Sequence, residues 1–155
     1  MLNIIKEQKG AALVVQFIGA VDESADLPKL LGPPPSELVI NTRQVTRINS
    51  NGVKQWIRYM QQAKDNGTKL HFVECAVPIV QQINFIQNFT AGGAVESVFV
   101  PFACTQCKKE LVGLFTTEAL RKANAKLPSL KCSACGGAVE FDDIPEEYFG
   151  FLSRS

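Results

Sequence analysis

Apolar positions in this chain recur with two spacings, and the alternation between them lays out the fold. Residues 3–9 and 12–21 read as strands about a turn at Gly10. The run Leu13-Val14-Val15-Gln16-Phe17-Ile18 is so nearly continuous in apolar character that burial on both faces is expected. A short helix over 24–31 stops at Gly32 and Pro33-Pro34-Pro35, because proline lacks the amide a helix needs. Residues 37–45 read as a strand centred on Leu38, Val39 and Ile40. Val53, Trp56, Ile57, Met60 and Ala63 then recur at helical spacing, with Asn49 and Ser50 where a cap is wanted and Asn66-Gly67 as the stop. A strand over 69–77 follows. Pro78 opens a further helix carrying Ile79, Val80, Ile83 and Ile86 and reaching toward Phe89, which ends before Gly92-Gly93. A strand over 95–102 closes this part.

Strands alternating with helices predict an α/β fold with a partly parallel sheet on which the helices pack. The organisation changes at Cys104. Hairpin-like pieces at 111–115 and 137–141 flank a helical stretch at 117–126 that Pro128 closes. The pattern predicts two units, residues 1–100 and residues 101–155. The second is too short to build a sizeable core and needs a staple. Its tail opens with Asp143-Ile144-Pro145-Glu146, a capping-box-like helix start with Asp143 as the cap. Tyr148, Phe149, Phe151 and Leu152 then either dock on the rest of the chain or form a patch for a partner.

Composition narrows the function classes. Hydrophobic residues make up 46% of the chain, which supports a real core and argues against long disorder. Net charge is +1, with seven Lys/Arg and seven Asp/Glu from Pro101 onward and nine and eight before it. A nucleic-acid binder needs a basic stripe to neutralise phosphates, and none is visible. The start, Met1-Leu2-Asn3-Ile4-Ile5-Lys6, lacks the regions of a signal peptide, and no apolar run is long enough to span a bilayer. The reading is therefore a cytoplasmic protein without membrane insertion, in a compartment where clustered thiols indicate metal or redox chemistry before disulfides.

The thiols carry the sharpest signal. Cys104-x2-Cys107 and Cys132-x2-Cys135 are separated by 24 residues. Each pair can aim two sulfurs at one ion from a single tight turn, and two such turns complete a tetrahedron. Zn2+ leads because it accepts thiolates without redox demands, and iron in the same sulfur cage stays open. Four protein ligands leave no position for a reacting water, so the ion is structural. Gly136-Gly137 lets amides approach the sulfurs, while Lys108 and Lys109 offset part of the negative charge. A dithiol redox pair would leave the other cysteine pair unexplained. Cys75 reads as a small buried apolar side chain, His71 as a sheet residue, and Trp56 as core.

Three segments in order carry a resemblance: Gly19-Ala20-Val21-Asp22 closing a strand, Val39-Ile40-Asn41 in the next, and Ile48-Asn49-Ser50-Asn51-Gly52-Val53 opening the main helix. Over residues 3–100 the chain resembles the STAS family, named for sulfate transporters and anti-sigma-factor antagonists. The resemblance implies a small mixed sheet with helices packed mainly on one face. It also implies a non-enzymatic protein that binds a partner, such as a kinase-like or sigma-regulatory protein, around the start of the main helix. In antagonist-type members a serine in an Asp-Ser-Ser-Gly motif is phosphorylated there to switch binding off, since added charge at a helix start rewrites an interface. Here Asn49 stands for the acid, Ser50 for the first serine, Asn51 for the phosphoacceptor, with Gly52 retained; Asp22 matches the nearby acid. Asn51 has no hydroxyl, so the resemblance implies a switch that is absent or altered. Ser50 and Asn49 also read simply as caps, and Asp22 as a turn residue bonding its own backbone.

The function expected from these readings is a signalling adaptor whose STAS-like surface binds a regulatory protein beside a structural four-cysteine zinc ribbon. The alternative is a zinc-ribbon nucleic-acid-binding or transcription-associated protein, against which the even charge argues. No catalytic triad and no glycine-rich phosphate loop of known spacing is present, and Asp142-Asp143 and Glu146-Glu147 read as caps and solubilising charge.

Overall fold

In the computed structural model, which describes residues 1–153, the chain forms two sheets around a shared hydrophobic interior. The first sheet holds β1 (Asn3–Lys9), β2 (Ala12–Val21), β3 (Glu37–Ile48), β4 (Lys69–Val73) and β5 (Ala94–Val95), in that spatial order. β1 pairs antiparallel with β2 across the Gly10 turn, where φ is 60°. The remaining pairings are parallel and are reached through helices α1 (Leu27–Leu31), α2 (Ser50–Asp65) and α3 (Val77–Phe85). This is the mixed α/β architecture that the sequence predicts.

The register shows which face the helices cover. Val15 lies opposite Ile40 and Ile40 opposite Phe72, and these residues are buried together with Phe17, Leu38 and Leu70 on the same face. Side chains of the alternate positions, Val14, Val39, His71 and Val73, are only half-buried, and Gln16 is exposed. The sheet therefore has one packed face, not the doubly buried β2 expected from its apolar run. Parity decides this, because successive side chains point to opposite faces. α2 presents Trp56, Tyr59, Met60 and Ala63 to the packed face at i, i+3, i+4 and i+7; of the stripe read from the sequence Val53 and Ile57 are only half-buried, and Tyr59 joins the buried side instead. Trp56 is the centre: its ring stacks on Phe89 at 4.8 Å and Phe72 at 5.8 Å and meets Phe17 edge-on at 5.5 Å. Its indole N–H donates to the Phe89 carbonyl at 2.8 Å, so the buried ring leaves no orphan donor.

Several boundaries differ from the sequence reading, each for a local reason. α1 starts at Leu27 rather than residue 24, because Asp26 caps it through the Lys29 amide while Ser24 bonds Asp22. β3 runs on to Ile48, and β4 stops at Val73 because Glu74 turns left-handed at φ 46°. α3 ends at Phe85, so Phe89 reaches the core from a turn rather than from the helix.

The largest change concerns the strand expected over 95–102. β5 ends at Val95, and the chain then forms β6 (Ser97–Cys104), which belongs to a second, three-stranded antiparallel sheet with β7 (Glu110–Thr116) and β8 (Val139–Phe141). The boundary expected at residue 100 falls inside β6. A bridge between Cys75 and Val98 carries the first sheet's track one step further before the chain departs. Beyond β7 come α4 (Thr117–Lys122), α5 (Pro145–Tyr148) and a 3-10 turn over Gly150–Ser153.

The aromatic tail locks the two sheets together. Tyr148, Phe149 and Phe151 are buried. The Tyr148 hydroxyl donates to the Phe99 carbonyl on β6 at 2.5 Å. Asn84 on α3 clamps the tail from the other side, its amide donating to the Tyr148 carbonyl and its oxygen accepting from the Phe151 amide. Asp143 does not cap α5 as expected: it bonds the Ile144 amide, and Ile144 takes the cap position ahead of Pro145.

Candidate functional site

The four cysteines come from two loops of the same shape. Cys104 ends β6, and Cys107 follows in the turn toward β7; Cys132 and Cys135 sit in the turn before β8. In each turn the residue after the second cysteine is left-handed, Lys108 at φ 64° and Gly136 at φ 74°. Each turn also closes with the same backbone pair. Lys108 N–H donates to the Cys104 carbonyl and Cys104 N–H to the Lys109 carbonyl; Gly136 N–H donates to Cys132 and Cys132 N–H to Gly137. Gly137 lies against Gln106 of the other turn, where a methyl group would come within 3.0 Å of its side chain. That contact brings the turns face to face.

The result is a compact sulfur cluster. The four Sγ atoms lie within 4.8 Å of one another, the closest pairs being Cys104–Cys135 at 3.4 Å and Cys107–Cys132 at 3.7 Å. Thiolates bound to a tetrahedral zinc at about 2.3 Å stand about 3.8 Å apart, so this spacing suits a single ion. A disulfide needs sulfurs at about 2.05 Å, and all the cysteines are free. Backbone amides converge on the sulfurs as well: Cys107 N–H reaches Cys104, Ala134 N–H reaches Cys132 and Gly137 N–H reaches Cys135, each at 3.4 Å.

Charge explains why such a cluster calls for a cation. The Cys107 amide, with other amides and sulfurs, draws the Cys104 thiol down to about 6, and the Cys135 and Ala134 amides lower Cys132. The Cys107 thiol feels the Lys109 amide pulling downward, but Cys104, burial and the remaining sulfurs outweigh it and push the thiol up to about 11. The apoprotein cannot hold every sulfur ionised at once; a dication removes that restriction. The residues fit a metal, and the donor set of four thiolates would hold it without an open position. Lys108 folds its ammonium back onto the Thr105 carbonyl at 3.1 Å, over the first turn.

A second assembly lies where β2 ends and α2 begins. Asn49, not Ser50, is the cap: its side-chain oxygen accepts from the Gly52 amide at 2.8 Å, and its amide group donates to Glu23 at 3.0 Å. Its backbone N–H donates to the Val21 carbonyl. Gly52 packs so tightly on that carbonyl that an added Cβ would sit 1.9 Å from it. Asp22 accepts from both the amide and the hydroxyl of Ser24 at 3.0 and 2.5 Å, and these bonds hold its carboxyl below the usual range. Ser50 and Asn51 are exposed at the first turn of α2. Two of the segments that the sequence singled out, residues 19–22 and 48–53, thus meet at one end of the sheet, while the third, residues 39–41, lies farther back along β3 opposite residues 14–16.

Cys75 and His71 fit their expected roles. Cys75 is buried, and burial pushes its thiol up to about 12, which leaves it inert. His71 stands between two carboxylates that its sequence neighbours do not reveal: Nδ1 meets Glu96 at 2.5 Å, and Nε2 lies 2.9 Å from Glu37 without hydrogen-bond geometry. Pairing of β4 with β3 and β5 brings them together, so spacing along the chain could not show it.

Comparison with known proteins finds matches among solved structures only. No family model and no curated protein sequence matches the chain. Among solved structures it is similar to an anti-sigma factor antagonist from Mycobacterium paratuberculosis. The two share 18% identity at a TM-score of 0.43, over 60% of this chain and 83% of that one. Among the described residues no helix is long and apolar enough to cross a membrane.

Proposed function

We propose that this protein is a non-enzymatic signalling adaptor that binds a regulatory protein, of the kinase-like or sigma-regulatory kind, through the surface at the start of α2. In this reading the first sheet with α1, α2 and α3 forms the STAS-like binding unit, and the second sheet with its loops and tail forms a ribbon stapled by zinc through Cys104, Cys107, Cys132 and Cys135. The protein would work in the cytoplasm. One observation carries the reading: Ser50 and Asn51 stand exposed on a helix start that Asn49, Gly52 and the end of β2 hold rigid. A helix N-terminus with unpaired amides is polarised toward negative charge, so a group placed there is a natural contact point. With Asn51 at the phosphoacceptor position, binding would not be switched there by phosphate.

The test is capture from extracts of the native cell with the tagged full chain. A regulatory protein should be recovered by the natural sequence and by Lys122→Glu, which lies away from this surface on α4. Ser50→Glu and Asn51→Glu should each reduce recovery about tenfold or more, as a like charge or lost fit at an interface does. Equal recovery by all of these proteins would move the binding surface elsewhere.

A further inference from the structure

A cleft runs along α3, between that helix and the second sheet with its tail, through three cavities of about 310, 470 and 600 Å³. They adjoin along one open cleft, since Val77 and Val112 line both the first and the second and Gln81 and Asp143 both the second and the third. The turn-to-turn rise of a helix puts Phe85 about 12 Å beyond Val77, so the cleft is long enough for several extended residues. Its two walls differ in kind. α3, Val-Pro-Ile-Val-Gln-Gln-Ile-Asn-Phe, carries no charge. The opposing wall supplies Glu110, Asp142, Asp143, Glu146 and Glu147, all exposed.

None of these carboxylates pairs with a lysine or arginine among the described residues. The basic side chain that lines the cleft, Arg43, is held by Glu74 at 2.8 Å and lies over the Phe99 ring. Large apolar side chains are also uncovered in the cleft: Phe85 is 87% exposed and Val112 59%. These features belong to a surface that lacks its partner.

We propose that this cleft is a docking groove for a basic segment of a partner protein that carries apolar side chains between its lysines and arginines. Charge complementarity selects that occupant. The carboxylates are spread along the wall rather than gathered, since the sole group of three or more metal-ligand side chains close enough to share an ion, among the described residues, is the cysteine cluster. A linear array of negative charge suits a linear cation, not a metal ion, and it repels nucleic acid. Phe85 and Val112 would receive the apolar side chains, and the rim acids would steer and orient the segment. The groove is distinct from the surface at the start of α2, and it exists because the second sheet and the tail pack beside α3.

The test uses a fluorescein-labelled twelve-residue peptide alternating Lys-Leu and Arg-Phe pairs, with a Glu-for-Lys/Arg peptide as its control, against the intact metal-loaded chain. The basic peptide should bind, and raising salt should weaken it. Phe85→Ser, and the triple change Asp142→Asn, Asp143→Asn, Glu146→Gln, should each weaken it about tenfold, while the acidic peptide does not bind. Because every altered side chain is exposed, these variants should keep their fold. A change away from the groove, Glu118→Gln, should leave binding intact. Amide shifts in the NMR spectrum on adding peptide should concentrate in 77–85, 110–112 and 142–150. Failure of the natural protein to bind, equal binding by the groove variants, or shifts centred elsewhere would overturn the proposal. So would sedimentation showing that a second copy of the chain covers Phe85.

Discussion

The first sheet and its helices bury Phe17, Trp56, Phe72 and Phe89 in one cluster of rings around Trp56, whereas the stretch from Thr105 to Gly137 buries only Thr117, Leu120, Cys132 and Gly137. One region is held from within by apolar area, which contributes about 25 cal/mol for each Å² removed from water. The other has little to remove. It is anchored at its two ends, by β6 and the aromatic tail in the shared core, and the loops between are drawn together at the sulfurs. Where hydrophobic burial is this slight, small units generally need a staple, and the sulfur cluster is the group placed to supply it.

Removing a sulfur should separate the two regions most clearly. Cys132→Ser should abolish stoichiometric metal and unfold the second sheet's loops, because zinc binding to such sites supplies about 10 kcal/mol or more of folding free energy. Hydrogen exchange should then show lost protection across 104–141, with β2, β3 and β4 still protected. A uniform loss over the whole chain would mean that the two regions fold as one.

A smaller effect probes the first region alone. Gly52→Ala places a methyl group against the Val21 carbonyl, so the start of α2 must move away from β2. A loss of about 3 kcal/mol in denaturant unfolding is expected, with metal content unchanged. An unaltered midpoint would show that the contact is looser than described.

The smallest effect tests the joint between regions. Tyr148→Phe removes the bond to the buried Phe99 carbonyl, for which a loss of about 1–3 kcal/mol is expected. Protection should fall in α3, β6 and the tail together. A loss confined to the tail would mean that Tyr148 packs without joining the sheets.

These regions also differed in how well the sequence disclosed them. β1, β2 and the main helix were legible because their signals are local: a glycine turn, an apolar stripe, an Asn cap. The paired cysteines were legible because metal geometry restricts spacing so strongly. The path of β6 was not. Ser97 to Cys104 is as predominantly apolar in pattern as a strand of the first sheet would be, and only pairing with β7 and β8 assigns it to the second. Phe89 and Tyr148 are placed by long-range contacts, and α3 ends at Phe85 because Ile86 turns extended, which no glycine or proline at that position signals. Likewise the acids at 142–147 looked like caps and solubilising charge. Their place opposite an uncharged helix emerges only once the tail has folded against α3.

X-ray absorption at the zinc edge, on protein purified without added metal, tests the central claim most directly. One zinc per chain with four sulfur neighbours at about 2.3 Å is the predicted result. A metal-free protein whose thiols all react freely with a thiol reagent while β6, β7 and β8 stay folded would contradict it.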